Sequence, residues 1–153
     1  NACYESCWPE TQLQCSVDAS CWVRGHLNTL AQALENMLRN AIRHSPKGGI
    51  VHLGGRRDGD FWHLWLEDQG GGVAQADLER IFLPFTRLDG SRPGDGGFGL
   101  GLSIARNAVR RQGGRLWAQN TGSGLRMNMR LVADDGTVSD DAIASRFSHP
   151  ATR

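Results

Sequence analysis

Asn36, Asn40 and Arg43 lie in the run LENMLRNAIRHSP, and on a helix turning about 100° per residue they fall within roughly 60° of one another. Two amides and a guanidinium about a turn apart can offer a carbonyl oxygen to a hard cation and N–H groups to phosphates. An ordinary solvated helix face would read the same way, although asparagine is a poor interior helix residue. Further on, EDQGGGV places Asp68 at the end of a strand, with Gly70, Gly71 and Gly72 directly after it. A carboxylate beside bare backbone can accept a hydrogen bond from a planar base. Such a charge-assisted bond is worth about 1.5–3 kcal/mol. It also discriminates, because adenine presents an exocyclic amine where guanine presents a carbonyl. A plain D-x-G turn is the competing reading. The third stretch is Gly97-Phe98-Gly99-Leu100-Gly101-Leu102, which opens into a helical pattern. Free backbone N–H groups at a positive helix end suit a polyphosphate. No Gly-Lys-Ser/Thr follows, so it is not a P-loop, and its third glycine comes one place early for a dinucleotide fingerprint. Bulky residues at alternate positions argue for a loop built to pack rather than a tether.

These residues need elements to hold them. Leu27, Leu30, Leu34, Met37, Leu38, Ala41 and Ile42 recur at helical spacing, which predicts a helix over 27–44 stopped by Ser45-Pro46. Residues 50–68 read as a hairpin turning at Asp58-Gly59. In its second arm Trp62, Leu64 and Leu66 alternate with Phe61, His63 and Trp65, so either the strand is central or Trp65 marks a contact surface. A short helix is expected over about 75–82, a long loop after it, a helix over about 102–112, and strands at 115–120 and 124–132 joined through Thr121–Gly124. Residues 12–24 read as a further hairpin turning at Asp18-Ala19-Ser20. Together these predict an α/β sandwich with helices on one face of the sheet. Residues 1–11 are expected to be a leader, with Asn1-Ala2 readable as a cloning remnant, 12–133 the folded domain and 134–153 a frayed tail.

Composition sets bounds on partners. With 153 residues, 39% hydrophobic, 22% charged and a net charge of +1, the chain fits one domain with a real core. It gives no electrostatic reason to expect nucleic acid or an anionic membrane surface. No apolar run is long enough to span a bilayer, and no signal-peptide pattern opens the chain. Cys3, Cys7, Cys15 and Cys21 lack zinc-ligand spacing and are expected to be free thiols.

In their order and spacing, LENMLRNAIRHSP, DQGGGV, IFLPFTR and GGFGLGLSIA resemble the N, G1, F and G2 boxes of bacterial sensor histidine kinases, in their catalytic, ATP-binding domain. The resemblance covers about residues 22–132, and the ALENMLRNA stretch is similar to membrane-bound envelope or iron-siderophore sensors. It implies a two-layer sandwich of mixed sheet and about three helices, the Bergerat-type ATP-binding fold. It implies that Asn40 supplies an oxygen to Mg²⁺ bridging the phosphates of ATP, with Asn36 and Arg43 supporting the triphosphate. His44 would lie against adenine, Asp68 would take its amino group, and Gly70 and Gly72 would permit close approach. Phe82 and Phe85 would anchor a lid from which Arg87 reaches the phosphates. Gly97, Gly99 and Gly101, with Leu100 and Leu102, would fold over them, and Gly122 and Gly124 loosely resemble a last glycine motif.

Gyrase-like and Hsp90-like members carry a glutamate base four residues before the metal-binding asparagine. Here Asn36 stands in that place and Glu35 points about 100° away. A phosphoryl donor is therefore expected, with an ATPase or a non-catalytic nucleotide-binding module as alternatives. The acceptor histidine of such kinases precedes an acidic residue, whereas His26, His44, His52, His63 and His149 do not. The resemblance thus implies a separate dimerisation and phosphoacceptor domain, a response regulator as partner, and a cytoplasmic position within an inner-membrane sensor.

Overall fold

The computed structural model describes residues 11–87 and 99–135. The expected first helix, α1, runs Leu27–His44, and its Ala33, Met37, Leu38, Ala41 and Ile42 are buried. Leu27, at the start of the apolar stripe, is instead 80% exposed. Ser45 ends the helix by donating its N–H to the Ala41 carbonyl at 3.0 Å, and Pro46 has no N–H with which to continue it.

The strands are β1 (Gln12–Ser16), β2 (Ile50–Asp58), β3 (Phe61–Glu67), β4 (Arg115–Asn120) and β5 (Leu125–Val132). They form one sheet in the order β1-β2-β3-β5-β4, with β1 parallel to β2 and the other neighbours antiparallel. The remaining helices are α2 (Asp77–Arg80) and α3 (Gly101–Arg111). Strand alternation then separates two faces. Leu64 and Leu66 of β3 pair across with Met129 and Met127 of β5, and Met129 and Met127 pair with Leu116 and Ala118 of β4. This face packs with Val51 against α1 and α3, closing the core around Met37, Ala105 and Val109. The result is the predicted two-layer α/β sandwich of mixed sheet and three helices.

β3 is the middle strand, the first branch of the earlier alternative, and Trp65 lies on the sheet face away from the core. On that face His63 stacks on Trp117 with ring centres 5.4 Å apart and 18° between planes, while Nε2 and Asn128 Oδ1 lie 3.0 Å apart. The Trp65 indole covers β2 at Gly54, where an added Cβ would fall 2.6 Å from Nε1.

Three boundaries differ from expectation. Residues 12–24 do not form a hairpin. The turn exists, because Asp18 Oδ1 accepts from the Ser20 N–H at 2.7 Å and from Ser20 Oγ at 2.6 Å, but its arms diverge. One arm joins β2 in parallel from Gln12↔Ile50 to Ser16↔Gly54, with α1 as the crossover; the other leaves to bridge Val23 with Ala133. The β2–β3 loop comprises Gly59 and Asp60, one residue later than expected, since Gly59 takes φ +58° and Asp58 still pairs with Phe61. The second helix shrinks to Asp77–Arg80, and its flanks tighten into turns such as Phe82 N–H to the Glu79 carbonyl at 3.2 Å.

Cys15 is exposed and Cys21 half-buried, and both are free thiols; Cys3 and Cys7, like the expected tail beyond 135, lie outside the described residues. Burial, helped by the Asp18 carboxylate, pushes the Cys21 thiol up from its ordinary value. Since the thiolate is the nucleophile, iodoacetamide at pH 8 should label Cys15 several-fold faster than Cys21, as read by peptide mapping over time. Equal rates would contradict this difference in environment.

Candidate functional site

β3 delivers Asp68 to a position only 1% exposed. Its Oδ1 accepts from the Gly70 N–H at 2.9 Å and the Leu125 N–H at 3.1 Å. The Asp68 N–H in turn donates to the Leu125 carbonyl at 3.0 Å. Oδ2 receives no protein donor among the described residues. A buried carboxylate is fixed through one oxygen while the other keeps its accepting capacity for a partner from outside. The Leu125 N–H is a contributor that residue types could not reveal, because a backbone donor has no sequence signature.

Gly70 joins this carboxylate to the end of α1. It packs against the His44 carbonyl, and an added Cβ would lie 3.0 Å from that carbonyl carbon and 3.2 Å from Asp68 Oδ1. Asn40 and Asn36 precede His44 by one and two turns; both are half-buried, and neither side-chain amide hydrogen-bonds among the described residues. Asn36 lies against the first turn of α3, since a Cβ added at Gly101 would be 3.8 Å from its Oδ1. Among the described residues no side chain caps α3, whose first N–H groups lie at the positive end of the helix. Arg43 and His44 are exposed on the last turn of α1. Asp68 and Gly70 thus meet α1 at His44, and α3 meets the same helix two turns earlier, at Asn36.

The expected lid has a defined base. Phe82 is 4% exposed, with the Arg106 guanidinium 4.6 Å from its ring centre and bonded to Glu79 at 2.9 Å. Phe85 does not anchor by its ring, which is 74% exposed; this corrects the expectation. Its backbone does the holding, donating to the Gly99 carbonyl at 3.0 Å with φ +61° at Phe85 and +72° at Gly99. Leu100 contributes a carbonyl that accepts from Ser103 Oγ at 2.8 Å, while the Leu102 side chain is part-buried against the core. Arg87 is exposed, and Gly97 lies outside the described residues, as does most of the long loop between them.

One further residue escaped the sequence reading. Asn120, at the end of β4, accepts from the Val73 N–H at 2.9 Å and donates to the Val73 carbonyl at 2.7 Å. Before a Thr-Gly turn, an asparagine reads simply as a turn residue.

The family described as "Histidine kinase-, DNA gyrase B-, and HSP90-like ATPase" matches residues 25–135. The chain belongs to this family. Sensor protein PfeS of Pseudomonas aeruginosa is 59% identical over 133 residues, covering 87% of this chain and 29% of that protein. Sensor protein SphS of Synechococcus elongatus is 42% identical over 106 residues, covering 65% of this chain and 26% of that protein. The chain therefore spans under a third of the length of these curated relatives. Among solved structures, the mycobacterial sensor histidine kinase MprB superposes with a TM-score of 0.75 at 27% identity, over 86% of this chain and 88% of that one. The chain is thus a histidine kinase ATPase domain, the catalytic part of such enzymes.

This ATPase domain has no cluster of three or more His, Cys, Asp or Glu fit for a metal ion among its described residues. Its free amides suit a metal held mainly by a ligand's own phosphates. Mg²⁺ commonly takes one or two protein oxygens beside phosphate and water.

Proposed function

We propose that this domain binds Mg-ATP and donates the γ-phosphoryl group to a histidine on a dimerisation and phosphoacceptor domain of the same full-length protein, for onward transfer to a response regulator. The observation that carries the reading is the buried Asp68 carboxylate, with Oδ1 occupied by two backbone donors and Oδ2 left for a base. Adenine, stacked on His44 and approaching over Gly70 and Gly72, offers the amine that oxygen requires. The triphosphate then runs along α1 past Arg43 and Asn40 toward Asn36 and the uncapped start of α3. Gly99 and Gly101 close from that side, and Arg87 reaches in from the lid base. Asn40 would hold Mg²⁺, which when bound neutralises phosphate charge and helps orient the transferred group.

The chain's own residues bind and orient, and the position four residues before Asn40 supplies no base for water. Asn36 is an amide and takes no proton at neutral pH. Glu35, beside it, accepts from Arg39 at 2.8 and 3.0 Å on the exposed side of the helix. Such a site holds ATP for an imported nucleophile rather than for hydrolysis. Among the described residues no helix is long and apolar enough to cross a membrane. We place the domain on the cytoplasmic side of a membrane-bound sensor, where ATP is available.

The chain incubated with Mg²⁺ and γ-labelled ATP should bind nucleotide, yet carry no stable label and release little phosphate. Label should appear on an added dimerisation domain carrying its histidine. Stable label on the chain alone, or fast phosphate release, would contradict the assignment.

A further inference from the structure

The segment between Asp68 and α2 has no regular structure and contains Gly70, Gly71 and Gly72, so nothing in its own sequence fixes its course. The β4–β5 hairpin fixes it from outside. The Gly71 N–H donates to the Ser123 carbonyl at 3.2 Å. The Asn120 amide then takes both polar groups of Val73, Oδ1 accepting at 2.9 Å and Nδ2 donating at 2.7 Å, as a neighbouring strand would. Gly72 runs flush beneath that amide: with φ +77°, an added Cβ would lie 2.5 Å from Asn120 Oδ1. Asn120 also pairs across the hairpin with Leu125, whose N–H holds Asp68 Oδ1. One cross-strand pair therefore grips the carboxylate with one member and the loop beside it with the other.

We propose that Asn120 is a positioning residue for purine specificity. Its amide fixes the wall formed by Gly72 and Val73 at the distance where a base can reach Asp68 Oδ2 through its exocyclic amine, without itself touching the base. This rests on the ATP reading above and adds to it a residue outside the four motifs. Since the clamp bears on the base and not on the phosphates, losing it weakens adenine nucleotides selectively and leaves guanine nucleotides, which make no bond to Asp68, nearly untouched.

The test is calorimetry of ATP and GTP against the chain and its Asn120→Ala, Asn120→Asp and Gly72→Ala variants, with thermal melts of each without nucleotide. Asn120→Ala should lose about tenfold in ATP affinity, because a loop that two hydrogen bonds held beforehand must then be ordered when the base binds, with GTP changed less than about twofold. Asn120→Asp keeps the acceptor for the Val73 N–H but sets a carboxylate against the Val73 carbonyl, so it should also lose adenine preference while remaining folded. Gly72→Ala, pressing on the clamp from the other side, should do the same. ATP and GTP weakening together, or an Asn120→Ala chain that melts earlier yet binds ATP as tightly, reduces Asn120 to a purely structural role and overturns the proposal. If the unaltered chain takes up neither nucleotide, the ATP reading fails and the clamp with it. If it binds ATP and the variants bind equally well, the clamp alone fails.

Discussion

Replacing Asp68 by asparagine is expected to weaken ATP binding about 100-fold while sparing the fold. The side chain is 1% exposed and fixed through Oδ1, which takes N–H groups from Gly70 and Leu125. An asparagine carbonyl can accept both, so the local structure survives. What changes is the other atom, which turns from an anionic acceptor into an N–H donor facing the adenine amine. The loss combines a charge-assisted bond of about 1.5–3 kcal/mol with two donors left facing each other. The same change favours guanine, whose carbonyl now meets a donor, so selectivity between the purines should collapse or invert. Calorimetry with ATP and GTP reads this directly, and a circular dichroism melt shows whether folding is intact. Unchanged ATP affinity in a folded Asp68→Asn chain would remove the carboxylate from the site and leave the proposed function without its central observation.

Much of this site was legible in the sequence because its signals are local. The helical spacing from Leu27 to Ile42 needs only one turn of chain to express itself, and Ser45-Pro46 ends it by local chemistry. Asp68 was legible because a strand of alternating residues runs straight into glycines. The parts that were not legible depend on distant segments. β1 pairs with a strand some forty residues on, and the same residues could equally have closed the local hairpin that the Asp18–Ser20 turn suggests. Leu125 serves through its N–H, which any residue but proline would supply. Phe85 shows the limit from the other side: the family resemblance implies an anchoring ring, yet here the backbone at positive φ is tied to Gly99 while the ring is left in solvent. Asn120 acts only because the hairpin carries it beside Val73, forty-seven positions earlier in the chain.

The turn Thr121–Gly124 provides the second large expected effect, and it contains its own control. At Gly124 an added Cβ would overlap the Asp68 carbonyl oxygen and lie 2.6 Å from both the carbonyl carbon and Oδ1 of Asp68. The φ of Gly124 is not in the left-handed region, so alanine there meets no backbone penalty and the conflict is purely steric. Little can give way, since Asp68 and Leu125 are tied in both directions at 3.0 and 3.1 Å. Gly124→Ala should therefore cost about 3 kcal/mol, near the upper end for overpacking of a rigid region. That corresponds to a fall of roughly 10 °C in melting temperature for a domain of this size. It should also displace the carboxylate, so whatever folded protein remains should bind ATP poorly. Two residues earlier, Gly122 has nothing within 4 Å of an added Cβ and no positive φ, so Gly122→Ala should change stability by less than about 0.5 kcal/mol. If the two substitutions melt alike, the close approach of this turn to Asp68 does not exist in solution. The hairpin would then have no hold on the carboxylate, and Asp68 would depend on Gly70 alone for its orientation.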